Sequence, residues 1–296
     1  MAIYLLQTLR RSKSTVHRIK NRLLLSSTQR NMSSGLPLQE VVNTLESYAS
    51  SLLAESWDNV GLLVEPSAPM FVKKLFLTND LTEGVLTEAV MKSADMVLSY
   101  HPPLFVPFKR IVQQKWKDRI IVKALENRIA IYSPHTSYDA VKGGVNDWLI
   151  SCFHGNVKPI TPKSEESEDG AGRICVLHEP LFLNDVIKKL KSHLQLKHIR
   201  VALSQPENTT VSTIASCAGS GASVLRGIRA DAFITGEMSH HDVLDAVSNQ
   251  TNVLLCEHSN SERGFLKILA PVLKDLLKEK VDVVVSETDR DPLNVV

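Results

Sequence analysis

Short apolar runs that stop abruptly at a histidine constrain this chain more than any other feature of its sequence. Residues 96–99 run into Tyr100-His101-Pro102-Pro103, residues 129–132 into Ser133-Pro134-His135, and residues 252–256 into Glu257-His258. Four or five apolar residues in succession read as strands buried on both faces, and consecutive prolines cannot continue a central ladder. Between these runs lie segments with apolar residues at helical spacing. Val41, Val42, Leu45, Tyr48 and Leu52 predict a helix over 38–54, and the pattern recurs over 82–92, 116–127, 183–194 and 265–277. Alternation of this kind predicts an α/β fold with mainly parallel sheets and right-handed crossovers. Open sheets of that class bind ligands outside the carboxyl ends of their strands, which is where the three histidines fall.

A chain of 296 residues, 43% of them apolar, can bury a substantial core and suggests about two domains. The change of character over 158–172, where prolines, glycines and acidic residues crowd together, predicts an exposed linker. It divides an N-terminal α/β half over 37–157 from a C-terminal one over 173–296.

The net charge of +2 conceals an asymmetry: Arg10, Arg11, Lys13, Arg18, Lys20, Arg22 and Arg30 occur before any Asp or Glu, leaving the body mildly acidic. An acid-free, Arg-rich leader over 1–36 resembles a mitochondrial transit peptide, and Met32 offers a start that omits most of it. The expected location is therefore cytoplasmic and nuclear, and mitochondrial when the leader is used. An acidic body argues against direct nucleic-acid binding, and no run approaches the roughly 20 apolar residues of a membrane span. Cys152, Cys175, Cys217 and Cys256 form no Cys-x-x-Cys pair, the usage of a reduced compartment.

Histidines His101, His135, His154, His240, His241 and His258 all sit at or just beyond predicted element ends. Carboxylates accompany three of these places: Asp139 four residues after His135, Glu262 four after His258, and Glu237 ahead of His240. Taken singly, a histidine at a strand end is an ordinary hydrogen-bonding residue, and an i,i+4 polar pair is common on helix turns. Together they make a ligand set of imidazole and carboxylate without thiolate. That set suits zinc, manganese, iron or nickel, one ion or two if a carboxylate bridges them. Gly219-Ser220-Gly221 reads as a tight βα turn or a phosphate cradle, and His240-His241 as a surface pair or an outer support.

Five motifs, in order, carry a resemblance: Ser56-Trp57-Asp58-Asn59-Val60-Gly61-Leu62, Tyr100-His101-Pro102, His135-Thr136-x-x-Asp139, Gly236-Glu237-Met238-Ser239-His240-His241-Asp242 and His258-x-x-x-Glu262-Arg263-Gly264. They resemble the NIF-three-like family, also labelled GTP cyclohydrolase I type 2-like. The resemblance implies two similar α/β halves around a dinuclear metal site, assembled as a homo-oligomer, often a toroidal hexamer. By motif, His101, Asp139, His258 and Glu262 take the ligand positions. Tyr100 departs from the His-His of many bacterial relatives, so one ligand is lost or replaced. The implied function is that of a cyclohydrolase-like, metal-dependent hydrolase acting on a substrate that includes nucleotides among its candidates, with His135 or His241 as catalytic proton carrier. The alternative is a non-enzymatic interaction protein, a transcriptional corepressor working through transcriptional regulator proteins.

Overall fold

The computed structural model describes residues 35–204, 206 and 209–296, so the leader expected over 1–36 falls outside it except for its last two residues. Strand β1 (Leu36–Pro37) leads into α1 (Leu38–Tyr48), which buries Leu38, Val41, Val42 and Leu45 at the spacing of one helix face. There follow β2 (Gly61–Val64), β3 (Phe71–Val72), β4 (Lys74–Thr78), α2 (Glu83–Met91), β5 (Met96–Ser99), α3 (Trp116–Glu126), β6 (Ala130–Ser133), α4 (Thr136–Ala140) and α5 (Val145–Ile150). Next come β7 (Gly155–Pro162), β8 (Gly170–Phe182), α6 (Leu183–Leu194), β9 (Arg200–Ala202), β10 (Thr210–Ser220), α7 (Ala222–Leu225), β11 (Ala232–Glu237) and α8 (His240–Ser248). Strand β12 (Asn252–Leu255), α9 (Phe265–Leu276) and β13 (Asp282–Val285) complete the described chain.

Among the described residues the strands form a five-stranded sheet ordered β13-β4-β5-β6-β2, a six-stranded sheet ordered β7-β8-β10-β11-β12-β9, and a small β1-β3 pair. The first is parallel except for β2 on β6, and the second has a parallel centre, β10-β11-β12, with antiparallel edges. Alternation along the strands sorts the core into layers. Leu75, Leu77, Met96 and Leu98 face one way and join Ile214, Ile234 and Leu254 of the second sheet in a shared core with α1, α6 and α9. Phe76, Val97 and Ile131 face the other way, onto α2 and α3. On the far side of the second sheet, Ala215, Phe233 and Val253 pack under Leu225 and Ala246. The α/β class with parallel sheets is as the sequence predicts, and no described helix is long and apolar enough to cross a membrane.

Two features of the division into halves differ from expectation. Residues 158–172 are not a linker: β7 pairs with β8 from Gly155↔Leu177 to Pro162↔Gly170, so most of this stretch is a hairpin at the edge of the second sheet. Pro159 and Pro162 are compatible with an edge strand, which leaves half of its backbone groups unpaired. The C-terminal half over 173–296 also gives up its last strand. β13 crosses back to pair in parallel with β4, Val283 opposite Leu75, as an edge strand of the first sheet.

Candidate metal centre

The first sheet delivers His101. Its ladder continues beyond the ends of β4 and β5, with Tyr100 N–H donating to Thr78 O (2.9 Å) and His101 N–H to Asn79 O (3.0 Å). That register sets His101 beside Asp80, whose Oδ1 lies 2.9 Å from His101 Nδ1. The second sheet delivers His258 from the turn after β12, where its Nδ1 lies 2.9 Å from Glu237 Oε1 at the end of β11. Each imidazole is thus held by a carboxylate through Nδ1, and each presents Nε2 to the same third group. Glu262, buried, places Oε2 at 3.4 Å from His101 Nε2 and Oε1 at 3.4 Å from His258 Nε2. Asn79 Nδ2 donates to Glu262 Oε2 at 3.1 Å.

His101, His258 and Glu262 each offer a ligand atom, and these atoms lie within 4.8 Å of one another, close enough to hold one metal ion. The donor chemistry fits. Two neutral imidazoles and a carboxylate are a borderline-hard set, and carboxylates on the far ring nitrogens fix tautomer and orientation as they do at metal-ligating histidines. Gly219, near the end of β10, makes room for it. Its φ is +62°, and a Cβ there would lie 2.6 Å from Glu262 Oε1 and 3.0 Å from His258 Nε2, so the backbone can pass the centre only as glycine.

Burial works against a charged His101, but the Glu262 charge and the hydrogen bonds to Asp80 and Glu262 outweigh it, pushing its pKa up to about 10. Burial likewise raises Glu262, and the His101 and His258 charges overcome this to hold it below the usual carboxylate range.

The remaining expected residues separate. Asp139 is not among the three groups that converge, and its Oδ1 accepts the Tyr100 hydroxyl. Burial raises Asp139, the Tyr100 hydrogen bond opposes it and the Glu262 charge adds to it, leaving a pKa of about 6. His135 is near, its ring centroid 5.3 Å from that of His101, with Nδ1 held 2.7 Å from Asp58 Oδ1. His135 precedes α4 at φ +34°, a conformation rare for a side-chain-bearing residue, and Asp58 also caps the helix by accepting from Thr136 N–H at 3.1 Å. His241 lies elsewhere: it is exposed in the first turn of α8, its ring against His240 at 5.5 Å. Only Met238 and Ser239 separate β11 from α8, and the helix starts on the surface with both histidines exposed.

Asp58, Asn79 and Asp80 emerge as supports that the sequence does not distinguish from turn residues. Asp80 had no histidine at short range, and only the parallel pairing of β4 with β5 brings His101 to it. A cavity of about 620 Å³ adjoins the centre, lined by Trp57, His135, Thr161, Gly172, Ser220 and Val224 among others, with Asp139, His258 and Glu262 in its wall. Its size is that of a small-molecule site, roughly 300–1,000 Å³. Thr161 and Gly172 come from the β7–β8 hairpin, so the supposed linker is one wall of the cavity. Cys217 also lines it, and burial, with the fields of Asp139 and Glu262, raises its thiol far above the ordinary range, so it stays protonated at neutral pH.

The model of the family described as Duf34/NIF3, NGG1p interacting factor 3, matches residues 36–292. NIF3-like protein 1 of Drosophila melanogaster is 46% identical, over 89% of this chain and 90% of that protein. NGG1-interacting factor 3 of Saccharomyces cerevisiae is 35% identical, over 84% and 93%. Among solved structures, a Bacillus cereus protein related to NIF3 superposes with a TM-score of 0.80 at 21% identity, over 89% of this chain and all of that one, a likeness of fold.

Proposed function

The chain belongs to the Duf34/NIF3 family, and from that premise we propose that it is a metal-dependent, hydrolase-like protein holding one divalent ion per chain. The observation that carries this reading is the trio itself: two Nε2 atoms converge on one carboxylate, both rings are braced by carboxylates, and the group opens on a cavity of about 620 Å³. One ion is the number favoured, since the Tyr100 hydroxyl engages the carboxylate of Asp139, which a second ion would need. A bound divalent ion would supply Lewis-acid polarisation and a lowered pKa for coordinated water.

The chain's own residues supply the rest. His258 and His101 would hold the ion through Nε2, and Glu262 would provide the anionic oxygens. Asp58 holds His135 at Nδ1, which leaves Nε2 free to take or give a proton at the cavity wall. Asp139, its pKa raised by burial to about 6, accepts the Tyr100 hydroxyl at the cavity wall. The cavity admits a substrate of nucleotide size. Screening nucleotides and phosphoesters against the full chain tests this: hydrolysis is expected for the parent and for His241→Ala, and should fall at least about 100-fold in His258→Ala. Equal turnover in His258→Ala would remove the centre from the reaction.

A second reading rests on a different surface. Phe105, Val106, Phe108 and Ile111 in the segment between β5 and α3, and Trp116 at the start of α3, are all exposed, more apolar side chain than water-facing loops normally carry. The family description and the name of the yeast relative both speak of interaction with NGG1. A partner protein of the transcriptional machinery would dock there without turnover. Metal binding with no hydrolysis of any compound in the screen would favour it.

A further inference from the structure

The segment that follows β13 is held by a cluster of hydrogen bonds. Ser286 N–H donates to Leu77 O at 2.8 Å, prolonging the β13–β4 ladder. Ser286 Oγ, Glu287 N, Thr288 N and Thr288 Oγ1 then all donate to the Glu88 carboxylate, at 2.7, 2.9, 3.1 and 2.6 Å. This clamp carries Asp289 into the interior, where its side chain is 3% exposed.

Asp289 meets two groups there, and each is the sequence neighbour of a group in the centre. Its Oδ2 accepts from the backbone N–H of Asn79 at 2.7 Å. Its Oδ1 lies 3.3 Å from Arg263 Nε, an ion pair whose atoms are misaligned for a hydrogen bond. From these partners two short paths reach the trio. Asn79 Nδ2 donates to Glu262 Oε2 at 3.1 Å. Arg263 Nη2 approaches Asp80 Oδ2 at 3.4 Å, and Asp80 holds His101 Nδ1 at 2.9 Å. Asp80 Oδ2 also accepts from Ser259 Oγ at 2.8 Å, so the loops from both sheets are pinned at one point.

We propose that Asp289 is a positioning residue of the metal centre, supplied by the C-terminal segment. It fixes the Asn79-Asp80 turn and Arg263, and through them the angle of the Glu262 carboxylate and the ring of His101. The return of β13 to the first sheet brings this segment beneath the centre. The charge of Asp289 matters as well as its shape. It offsets the half-buried Arg263 guanidinium, which otherwise pulls undivided on Asp80 and draws that carboxylate from His101.

The inference rests on the metal reading given above, and cobalt(II) separates the two. Its affinity is measured on the full chain by chelator competition, and its visible absorption at saturation reports the ligand geometry. Asp289→Ala should weaken cobalt binding about tenfold to 100-fold, the range of outer supports of metal ligands, and should shift the absorption bands at saturation. Asp289→Asn, which keeps the acceptor for Asn79 N–H, should lose less and serves if the alanine variant does not fold. A role confined to stability would lower the melting temperature and leave the bands in place. Parent-like affinity and spectrum in a folded Asp289 variant, with the parent binding cobalt, overturn the role of Asp289 alone. Failure of the parent itself to bind cobalt overturns the metal reading and this inference with it.

Discussion

His101 and His258 approach the same carboxylate from different sheets, and their settings are unequal. The His101 side chain is 22% exposed, and its carboxylate support, Asp80, is in turn held by Ser259 and Arg263. His258 is 38% exposed and leans on Glu237, itself 51% exposed. The difference follows from the sheets. β5 is buried at every position between helices on both faces, so the residues that extend its ladder inherit a fixed frame. β11 ends in an exposed Glu237 before a surface helix, so the support of His258 faces water. One histidine belongs to a built half of the centre, and the other stands at its opening toward the cavity.

If that contrast is real, the two supports must differ when their charge is removed. Asp80→Asn should weaken metal binding by roughly 10–100-fold, as expected for a half-buried support that Ser259 and Arg263 hold in place and whose loss also unbalances Arg263. Glu237→Gln should cost only about twofold to fivefold, because water replaces an exposed carboxylate at little expense. Isothermal titration of the metal-free protein with zinc or manganese measures both. Equal losses would erase the distinction between a built half and an open one.

A smaller effect sharpens the same point on stability. Burial raises Glu88, but hydrogen bonds from Thr288, the Glu287 backbone, Ser286 and Lys92 overcome it and hold its pKa near about 2, against an ordinary 4.5. A carboxyl depressed by folding contributes stability that is fully present above the unfolded value and lost as pH falls through the folded one. Glu88→Gln should therefore destabilise the protein at pH 7 by about 2 kcal/mol, with the deficit shrinking below a pH of about 4.5 and gone near a pH of about 2. Denaturant melts of the two proteins across that window decide it. A deficit that stays constant with pH would mean that the shape of Glu88, and not its charge, clamps the tail.

How far the sequence reveals this arrangement depends on whether a residue acts locally. Helices such as α6, and strands such as β5 and β12, repeat the periodicity of their own residues, and each appears within a residue or two of its expected span. His101, His258 and Glu262 are legible for the same reason: strand ends are local features, and the His258–Glu262 spacing is one helical turn. Supports that act across sheets are not. Asp80 and Asn79 look like turn residues until β4 lies beside β5, and Asp289 has no pattern at all until β13 returns to the first sheet. The hairpin over 155–182 is obscured by its solvent-facing residues, whose prolines and acids resemble a linker because an edge strand needs little apolar surface. His241 misleads in the opposite way, since a motif position says nothing about whether a helix begins inside the centre or on the surface.

The claim on which the rest depends is that groups from both sheets hold one ion. It is tested most directly by the metal-to-protein ratio of the folded full chain, purified without added ions and dialysed identically as the parent and as Glu262→Gln. The substitution keeps the size of the buried side chain that both imidazoles face and removes its charge. The account predicts about one ion per chain for the parent and a small fraction of that for Glu262→Gln, because the anionic oxygens are what offset the cation. A Glu262→Gln protein that keeps the parent's full ratio would contradict it.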